Sequence, residues 1–294
     1  MPLSASLETE KLENGTGHNR LEMPRETIIS DKKENPAKKM LAKKHLFLNY
    51  KGGTGKTTIS AAYGYYLASI GKKVLLVDLD AQAHLTACFN KESINYNRSL
   101  YGVIVNDDKL SDIIVPTSLP NLKLIPSSIS LSALELPLFK MPLREYRLRK
   151  VLSIVDKEYD YVIIDSAPNI GLLSLNAILA ADDIMIPLLA DFLSFHGLKI
   201  LLETLASIER DFNFYVGNIH IFLNRYNPDY QVCRDCGESV NKFYPEYALK
   251  TVVRESRELM DASSHGKSIF ELSPDSAAAE DIRSLVLEVN GFDK

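Results

Sequence analysis

The chain has 294 residues, of which 46% are hydrophobic and 24% are charged, as is ordinary for a globular protein. That length accommodates one large α/β domain, or one domain with an appendage. The net charge of −4 gives no overall sign of nucleic-acid binding, so any such contact must come from a local patch. No apolar stretch is long enough to cross a bilayer, and the N-terminus lacks a signal-peptide core, which predicts a cytoplasmic protein.

The N-terminal segment, residues 1–43, is polar and has no hydrophobic periodicity. It becomes basic from Lys32 to Lys44. We interpret residues 1–43 as a flexible arm with one short helix over Arg25–Lys33. A basic arm can contact nucleic acid or a partner, but a solvated tail accounts for the composition equally well. Residues 44–294 are then expected to form the folded domain.

The first predicted strand, residues 45–50, leads into a glycine-rich loop. Leu46, Phe47 and Leu48 form the apolar run of a buried strand, and residues 50–58 read Tyr-Lys-Gly-Gly-Thr-Gly-Lys-Thr-Thr. Glycine backbone allows N–H groups to approach phosphate oxygens closely. The loop therefore predicts a phosphate site.

A helix with apolar residues at three- and four-residue spacing follows the loop and ends at Gly71. Its N-terminus adds a partial positive charge beneath the phosphates. Lys56 is expected to contact the β- and γ-phosphates, and the Thr57 hydroxyl to bind Mg²⁺. The predicted nucleotide-binding residues of this loop are Gly52, Gly53, Thr54, Gly55, Lys56, Thr57 and Thr58.

The loop departs from the common phosphate-loop pattern, GxxxxGK[ST], in two ways. That pattern requires glycine at position 50, where this chain has Tyr50. It also lacks a second lysine, whereas Lys51 stands at the entrance of this loop. A deviant pattern with two lysines fits instead.

Two further predicted strands end in aspartate. Residues 73–78 are followed by Asp80, so that Asp78 and Asp80 can point the same way from an extended chain. Residues 160–165 end in Asp165. Beside a phosphate loop, such carboxylates orient the attacking water or bind the water shell of Mg²⁺. Gln82 and Thr86 are expected in a polar loop after Asp80.

Strand-like apolar runs alternate with helical patterns along the rest of the chain. This alternation predicts a mostly parallel, twisted sheet with helices on both faces, which is an α/β phosphate-loop fold. Ligands of such sheets bind at the carboxyl ends of the strands. The remaining strand candidates are 122–126, 183–188, 217–223 and 249–253.

The three cysteines, Cys88, Cys233 and Cys236, do not make a disulfide framework. Cys233 and Cys236 have the spacing of a zinc knuckle, but a zinc site needs four ligands and no second pair exists. A site shared across a dimer, or a redox pair, remains an alternative. We interpret them as two thiols in a polar loop.

Several segments together resemble the ParA/Soj partition ATPases of the ParA–MinD superfamily, which have a deviant Walker A loop. The similarity runs from residue 44 to near the C-terminus, in the family's order. One departure lies in the loop after Asp80, where Ala83 stands in place of a common glycine. The segments that carry the resemblance are 50–58, 78–82, 124–127, 165–173, 181–187, 197–203 and 264–267.

The resemblance implies an ATP-dependent homodimer with two nucleotides sandwiched between subunits. Lys51 corresponds to the signature lysine that reaches the partner's phosphates, and it joins Lys56 and Asp80 as a catalytic residue. Asp80 corresponds to the aspartate needed for hydrolysis, and Thr57, Asp80 and Asp165 are the implied Mg²⁺ site. Asn224 resembles the family's base-contacting asparagine.

Family members bind DNA non-specifically as ATP dimers, and a centromere-binding ParB-like partner stimulates their weak ATPase. The resemblance therefore implies a cytoplasmic, nucleoid-associated protein that partitions a plasmid or chromosome. A short arm in place of a helix-turn-helix domain suggests the smaller class that does not repress its own operon, and we expect the protein to be plasmid-encoded. Arg254, Arg257 and Lys267 lie where similar proteins carry DNA-binding residues, although a solvated helix face is the alternative for each.

Three related classes are alternatives. A MinD-like membrane-cycling regulator requires a C-terminal basic amphipathic helix, but residues 279–294 are acidic and lack a basic face. An iron–sulfur reductase would carry cysteines in positions that the three cysteines here do not occupy. A tyrosine-kinase relative would carry a C-terminal tyrosine cluster, whereas the last tyrosine here is Tyr247.

Overall fold

The computed structural model describes residues 41–89 and 99–292. The predicted arm over residues 1–43, with its short helix over Arg25–Lys33, lies outside the described residues except for its last three positions. Among the described helices, none is both long enough and apolar enough to cross a membrane.

One sheet organises the described residues, and it has the strand order β3-β4-β2-β5-β1-β6-β7-β8. Every neighbouring pair is parallel except β3 and β4. The predicted α/β class with a mostly parallel sheet is therefore confirmed. The strands are β1 Lys43–Phe47, β2 Val74–Leu79, β3 Val115–Pro116, β4 Leu122–Ile125, β5 Tyr161–Ser166, β6 Asp183–Leu189, β7 Asn218–Tyr226 and β8 Val253–Arg254.

Helices cover both faces of the sheet. On one face α1 packs with α11, and Tyr63, Leu67, Ile282 and Leu285 belong to one buried cluster. The second cluster includes Leu148, on α5, and lies on the other face. The helices are α1 Lys56–Ser69, α2 His84–Phe89, α3 Leu100–Val105, α4 Glu135–Phe139, α5 Arg147–Ser153, α6 Leu172–Ala180, α7 Phe192–Phe212, α8 Gln231–Phe243, α9 Arg257–Ser264, α10 Ile269–Leu272 and α11 Ala277–Asn290.

The last predicted strand, 249–253, is shorter than expected. Val253 and Arg254 pair with β7, with a register shift between Asn224 and Tyr226, and the Leu249 N–H donates to Ile221 of β7. Between them, the N–H groups of Lys250 and Thr251 donate to the Glu288 carboxylate instead of the sheet. A side chain of α11 therefore satisfies backbone groups that the apolar pattern assigned to the sheet.

The prediction that Cys233 and Cys236 lie in a polar loop is wrong. Both lie on α8 and are buried, with 5% of each residue exposed. Their three-residue spacing places them on one helix face together with Val240, which is also buried. Thr86, expected in a loop, is also buried in a helix, α2.

Candidate active site

The phosphate loop connects the end of β1 to the start of α1, at the carboxyl edge of the sheet. Gly53 has a φ of +74° and Gly55 a φ of +93°. A residue with a Cβ adopts such angles only at a cost in free energy. Helix α1 begins at Lys56, and none of the described side chains caps its first turn. Its first N–H groups are therefore free to donate hydrogen bonds to an anionic ligand.

Gly55 also lies against Asn224, at the carboxyl end of β7. A Cβ on Gly55 would lie 2.2 Å from Asn224 Nδ2. That Nδ2 donates a 2.7 Å hydrogen bond to the carbonyl oxygen of Thr54. Asn224 thus fixes the backbone of the phosphate loop, and it also lines the cavity beside the loop.

Lys56, Thr57 and Asp165 meet where β5 ends. Thr57 Oγ1 donates a 2.6 Å hydrogen bond to Asp165 Oδ2, and Lys56 Nζ donates a 3.0 Å hydrogen bond to the carbonyl oxygen of Asn49. Asp165 is fully buried, and its second oxygen, Oδ1, has no hydrogen-bond partner among the described residues. A buried carboxylate oxygen that lacks a donor fits the water shell of a bound Mg²⁺.

Burial changes the ionisation of these groups. It raises the pKa of Asp165 to about 8, with a further increase from the charge of Asp78. It raises the pKa of Asp78 to about 6, against the effect of hydrogen bonds from Thr86. Burial also lowers the pKa of Lys56, which Asp165 and Asp80 partly offset. A cation bound beside these carboxylates would favour their ionised forms.

Lys51 does not line the cavity beside its own loop. Its Nζ donates a 3.0 Å hydrogen bond to Asp191 Oδ2 and another of 3.0 Å to Ser194 Oγ. Asp191 is the N-cap residue of α7 and also accepts a hydrogen bond from the Ser194 N–H. The side chains of Lys51 and Asp191 are 40% and 39% exposed, so solvent weakens their attraction.

Asp78 and Asp80 have different surroundings, although they are two residues apart. Asp80 lines the cavity, and its Oδ1 accepts a hydrogen bond from the Gln82 N–H at 2.9 Å. Asp78 is fully buried and accepts hydrogen bonds from the Asp80 N–H, the Thr86 N–H and the Thr86 hydroxyl. Asp80 is therefore the carboxylate available to a ligand, while Asp78 is committed to protein donors.

The cavity has a volume of about 550 Å³, which suits a nucleotide. Residues 52–59 form one wall, and Asp80, Gln82 and His84 form a second. The wall on the side of β7 and α9 is formed by Asn224, Arg225, Arg254, Ser256, Leu259 and Met260.

The three predicted DNA-binding residues have different environments. Arg254 is tied to Asp281 of α11, with Nε–Oδ2 and Nη2–Oδ1 distances of 2.9 and 2.6 Å. Arg257, at the start of α9, and Lys267, after its end, are exposed. The structure thus brings Arg254 to the nucleotide cavity and leaves Arg257 and Lys267 on the surface.

This fold and loop define a phosphate-loop nucleotide-binding protein, and comparisons identify its family. A family model described as an AAA domain matches residues 42–217. The cell division protein PomZ of Myxococcus xanthus is 42% identical over 244 residues, which cover 83% of this chain and 76% of PomZ. The sporulation initiation inhibitor protein Soj of Bacillus subtilis is 36% identical over 241 residues, which cover 82% of this chain and 95% of Soj.

Among solved structures, an ATP complex of Cyanothece McdA matches with a TM-score of 0.78 and 25% identity, covering 87% of this chain and 98% of McdA. The chain belongs to the ParA/MinD-type ATPase family. It is an ATPase with ATP and Mg²⁺ as ligands. In this chain Thr57 and Asp165 are residues that could hold Mg²⁺, which when bound would neutralise phosphate charge.

Sequence reasoning missed two features of the site. Asp191 follows the apolar strand β6 but is 140 positions from Lys51, and no local pattern pairs them. The sequence predicts a loop at Thr86, whereas the structure buries its hydroxyl against Asp78. The Asp78-x-Asp80 pattern could have pointed to Thr86, since a buried carboxylate requires donors nearby.

Proposed function

We propose that this chain is an ATP-dependent dimerising switch that binds DNA without sequence preference and partitions plasmid or chromosome copies. The observation that carries the proposal is the position of Lys51. This lysine belongs to the phosphate loop, yet its Nζ contacts Asp191 and Ser194 and not the cavity of its own subunit. A lysine so placed is available to phosphates bound by a second subunit.

Exposed apolar side chains near the phosphate loop support a subunit interface there. Phe192 and Leu193 follow Asp191 directly and are 76% and 72% exposed. Leu136 and Ile170 are also exposed, at 79% and 54%. Each adjoins in sequence a residue that lines a second cavity, and Asp80 borders that cavity too. Large exposed apolar side chains clustered beside a ligand site are typical of a surface that another protein covers.

DNA binding and partner stimulation are the finer parts of the proposal. Arg257 and Lys267 supply exposed positive charge on and after α9, which suits contact with phosphate backbone. Relatives are named for chromosome partition, sporulation and cell division. We propose a centromere-binding, ParB-like protein as the partner that stimulates hydrolysis, and a nucleoid-associated, cytoplasmic location.

The decisive experiment measures DNA binding with ATP, with ADP and without nucleotide, over a series of salt concentrations. We expect binding that requires ATP, differs little between DNA sequences and weakens steeply as salt rises. Asp80→Ala should retain ATP-dependent binding to DNA while its ATP turnover stops. Equal binding in all three nucleotide states would contradict the proposed switch.

Membrane cycling, as in MinD-like proteins, is not favoured. The apolar residues of α11, the last described helix, are already buried against the domain, among them Ile282, Leu285 and Val286. An interfacial membrane helix requires an exposed apolar face. Sedimentation with anionic lipid vesicles and ATP tests this directly, and we expect the protein to stay in the supernatant.

A further inference from the structure

We propose that Thr86 is a positioning residue for ATP hydrolysis, because its single hydroxyl fixes the loop that carries Asp80. The inference rests on the proposed role of Asp80 in turnover. Thr86 lies on α2, six residues after Asp80, and only 2% of it is exposed. It does not line the nucleotide cavity, so it acts through other groups.

One buried carboxylate closes the Asp80 loop at both ends. Asp78 Oδ1 accepts a hydrogen bond from the Asp80 N–H at 3.1 Å. Asp78 Oδ2 accepts one from the Thr86 N–H at 2.8 Å and one from the Thr86 hydroxyl at 2.7 Å. The position of Asp80 therefore depends on how firmly Asp78 is held, and Thr86 supplies two of its three donors.

The Thr86 hydroxyl also joins this loop to another strand. Its Oγ1 accepts a 2.9 Å hydrogen bond from the N–H of Ser127, just after β4. The hydroxyl thus donates to Asp78 and accepts from Ser127 at the same time. Among side chains of this size, only a hydroxyl does both well. The segment 124–127 was part of the family resemblance, and this contact gives its last residue a structural role.

The loop needs such an anchor because its backbone is strained. Ala83 has a φ of +56°, in the left-handed region that a residue with a Cβ avoids. Its N–H donates to the Asp80 carbonyl oxygen at 2.8 Å, which closes a tight turn. Without the Asp78–Thr86 contacts, we expect relaxation of Ala83 to displace Asp80 from its position beside the cavity.

The test compares Thr86→Val, Thr86→Ser and Thr86→Cys with the unaltered full chain, measuring kcat, KM for ATP and ATP-dependent dimerisation by light scattering. Valine matches threonine in shape but has no hydroxyl. We expect Thr86→Val to lower kcat about tenfold or more, since a small displacement of a catalytic group has effects of that size. KM and dimerisation should change by about twofold at most, because the nucleotide walls are intact.

Thr86→Ser keeps the hydroxyl and should restore kcat to near that of the unaltered chain. Thr86→Cys, a weaker donor and acceptor, should be intermediate, and it provides the test if the valine variant does not fold. Unchanged kcat in both the valine and cysteine variants, or a serine variant as slow as the cysteine variant, would overturn the inference. Asp80→Ala, measured in parallel, tests the proposed role of Asp80 separately from that of Thr86. Full ATP turnover in Asp80→Ala would show that Asp80 is not needed for hydrolysis.

Discussion

The two lysines of the phosphate loop are only five residues apart, but their environments differ. Lys56 is buried, and its Nζ donates a hydrogen bond across the loop to the carbonyl oxygen of Asn49. Lys51 is partly exposed and pairs with Asp191 at the start of α7. These environments support the proposal that Lys56 contacts the nucleotide bound by its own loop, while Lys51, held by an exposed ion pair, can change partner at a small cost.

Replacing Lys51 by alanine should separate nucleotide binding from assembly. We expect Lys51→Ala to bind ATP within a few-fold of the unaltered affinity, because Lys51 does not line the cavity. ATP-dependent dimerisation should be lost. Light scattering with a slowly hydrolysed ATP analogue measures this, and Lys199→Ala, on the exposed surface of α7, is the matched control. A Lys51→Ala variant that still dimerises would refute the role in trans.

Strand β1, the phosphate loop and helix α1 form a unit whose shape depends on Gly55. Both its φ of +93° and its contact with Asn224 exclude a side chain. Gly71, after α1, has a similar φ of +89°, but a Cβ at this position would have no neighbouring atom within 4 Å. A side chain at either position would therefore strain the backbone similarly, but only at Gly55 would it also clash with Asn224.

This difference makes Gly71→Ala a matched control for Gly55→Ala. Each substitution should cost roughly 1–2 kcal/mol of unfolding free energy from backbone strain alone. Gly55→Ala should in addition displace Asn224 and lower ATP affinity at least about tenfold, while Gly71→Ala leaves the affinity unchanged. Urea denaturation and titration with a fluorescent ATP analogue provide the two measurements. Equal ATP affinity in both variants would show that the Asn224 contact is unimportant.

Sequence patterns predicted the elements that are buried on both faces, because continuous apolar runs such as residues 74–77 are typical of central strands in a parallel sheet. They also predicted the phosphate loop, since its residues are adjacent in the chain. The same patterns did not predict the short edge strand β3, because two residues are too few to show a periodicity. The helix that contains Cys233 and Cys236 was also not predicted, because its polar residues outnumber its buried ones.

Within the site, the local part was predictable and the long-range part was not. Gly55, Lys56 and Thr57 are adjacent in sequence, so one motif places all three. The partners of the loop are Asn224, on β7, and Asp191, at the start of α7 after β6. Both are distant in sequence, and their positions depend on the order of strands in the sheet. The resemblance to a family suggested Asn224 but gave no sign of its hydrogen bond to Thr54.

The sheet carries charged groups at both ends of its strands. Opposite the nucleotide site, Asp183 accepts a 2.9 Å hydrogen bond from Asn218, and Lys43 Nζ lies 2.7 Å from its Oδ2. His45 is fully buried beside it, with Nε2 at 3.5 Å from Asp183 Oδ2, and its ring nitrogens have no hydrogen-bond partner within residues 41–89 and 99–292. His220 Nε2 lies 3.3 Å from the same oxygen. This end of the sheet therefore contains a buried imidazole whose charged form would be strongly desolvated.

Acid stability should reflect this imidazole. Burial lowers the pKa of His45 from 6.5 to about 3, although the charge of Asp183 opposes the shift and those of Lys43 and His220 reinforce it. Below pH 6.5 the unfolded chain therefore binds a proton that the folded chain does not. This imidazole alone lowers the stability by about 2 kcal/mol between pH 6.5 and 4.5. The raised pKa values of Asp78 and Asp165 act in the opposite direction over the same range, so the contribution of His45 is read from the difference between the unaltered chain and its His45 variant.

His45→Phe should remove this part of the pH dependence while keeping the ring contacts with Tyr63 and Tyr161. Urea denaturation at pH 4.5, 5.5, 6.5 and 7.5 gives the profile of unfolding free energy. The exposed His196 provides the control, since His196→Phe should leave the slope unchanged. An unaltered slope in the His45 variant would show that the imidazole is not the source.

The Lys51–Asp191 pair has a consequence for the ionic strength at which the switch operates. Because this pair is exposed, dissolved salt screens it and makes Lys51 easier to release. In a closed sandwich the lysine would contact phosphates sheltered from solvent, where screening is weaker. The proposed binding of DNA through Arg257 and Lys267 should instead weaken as salt rises. Moderate salt would then favour subunit assembly while it loosens the hold on DNA, so the ionic composition of the cell would set how much of the ATP-bound dimer is free to diffuse.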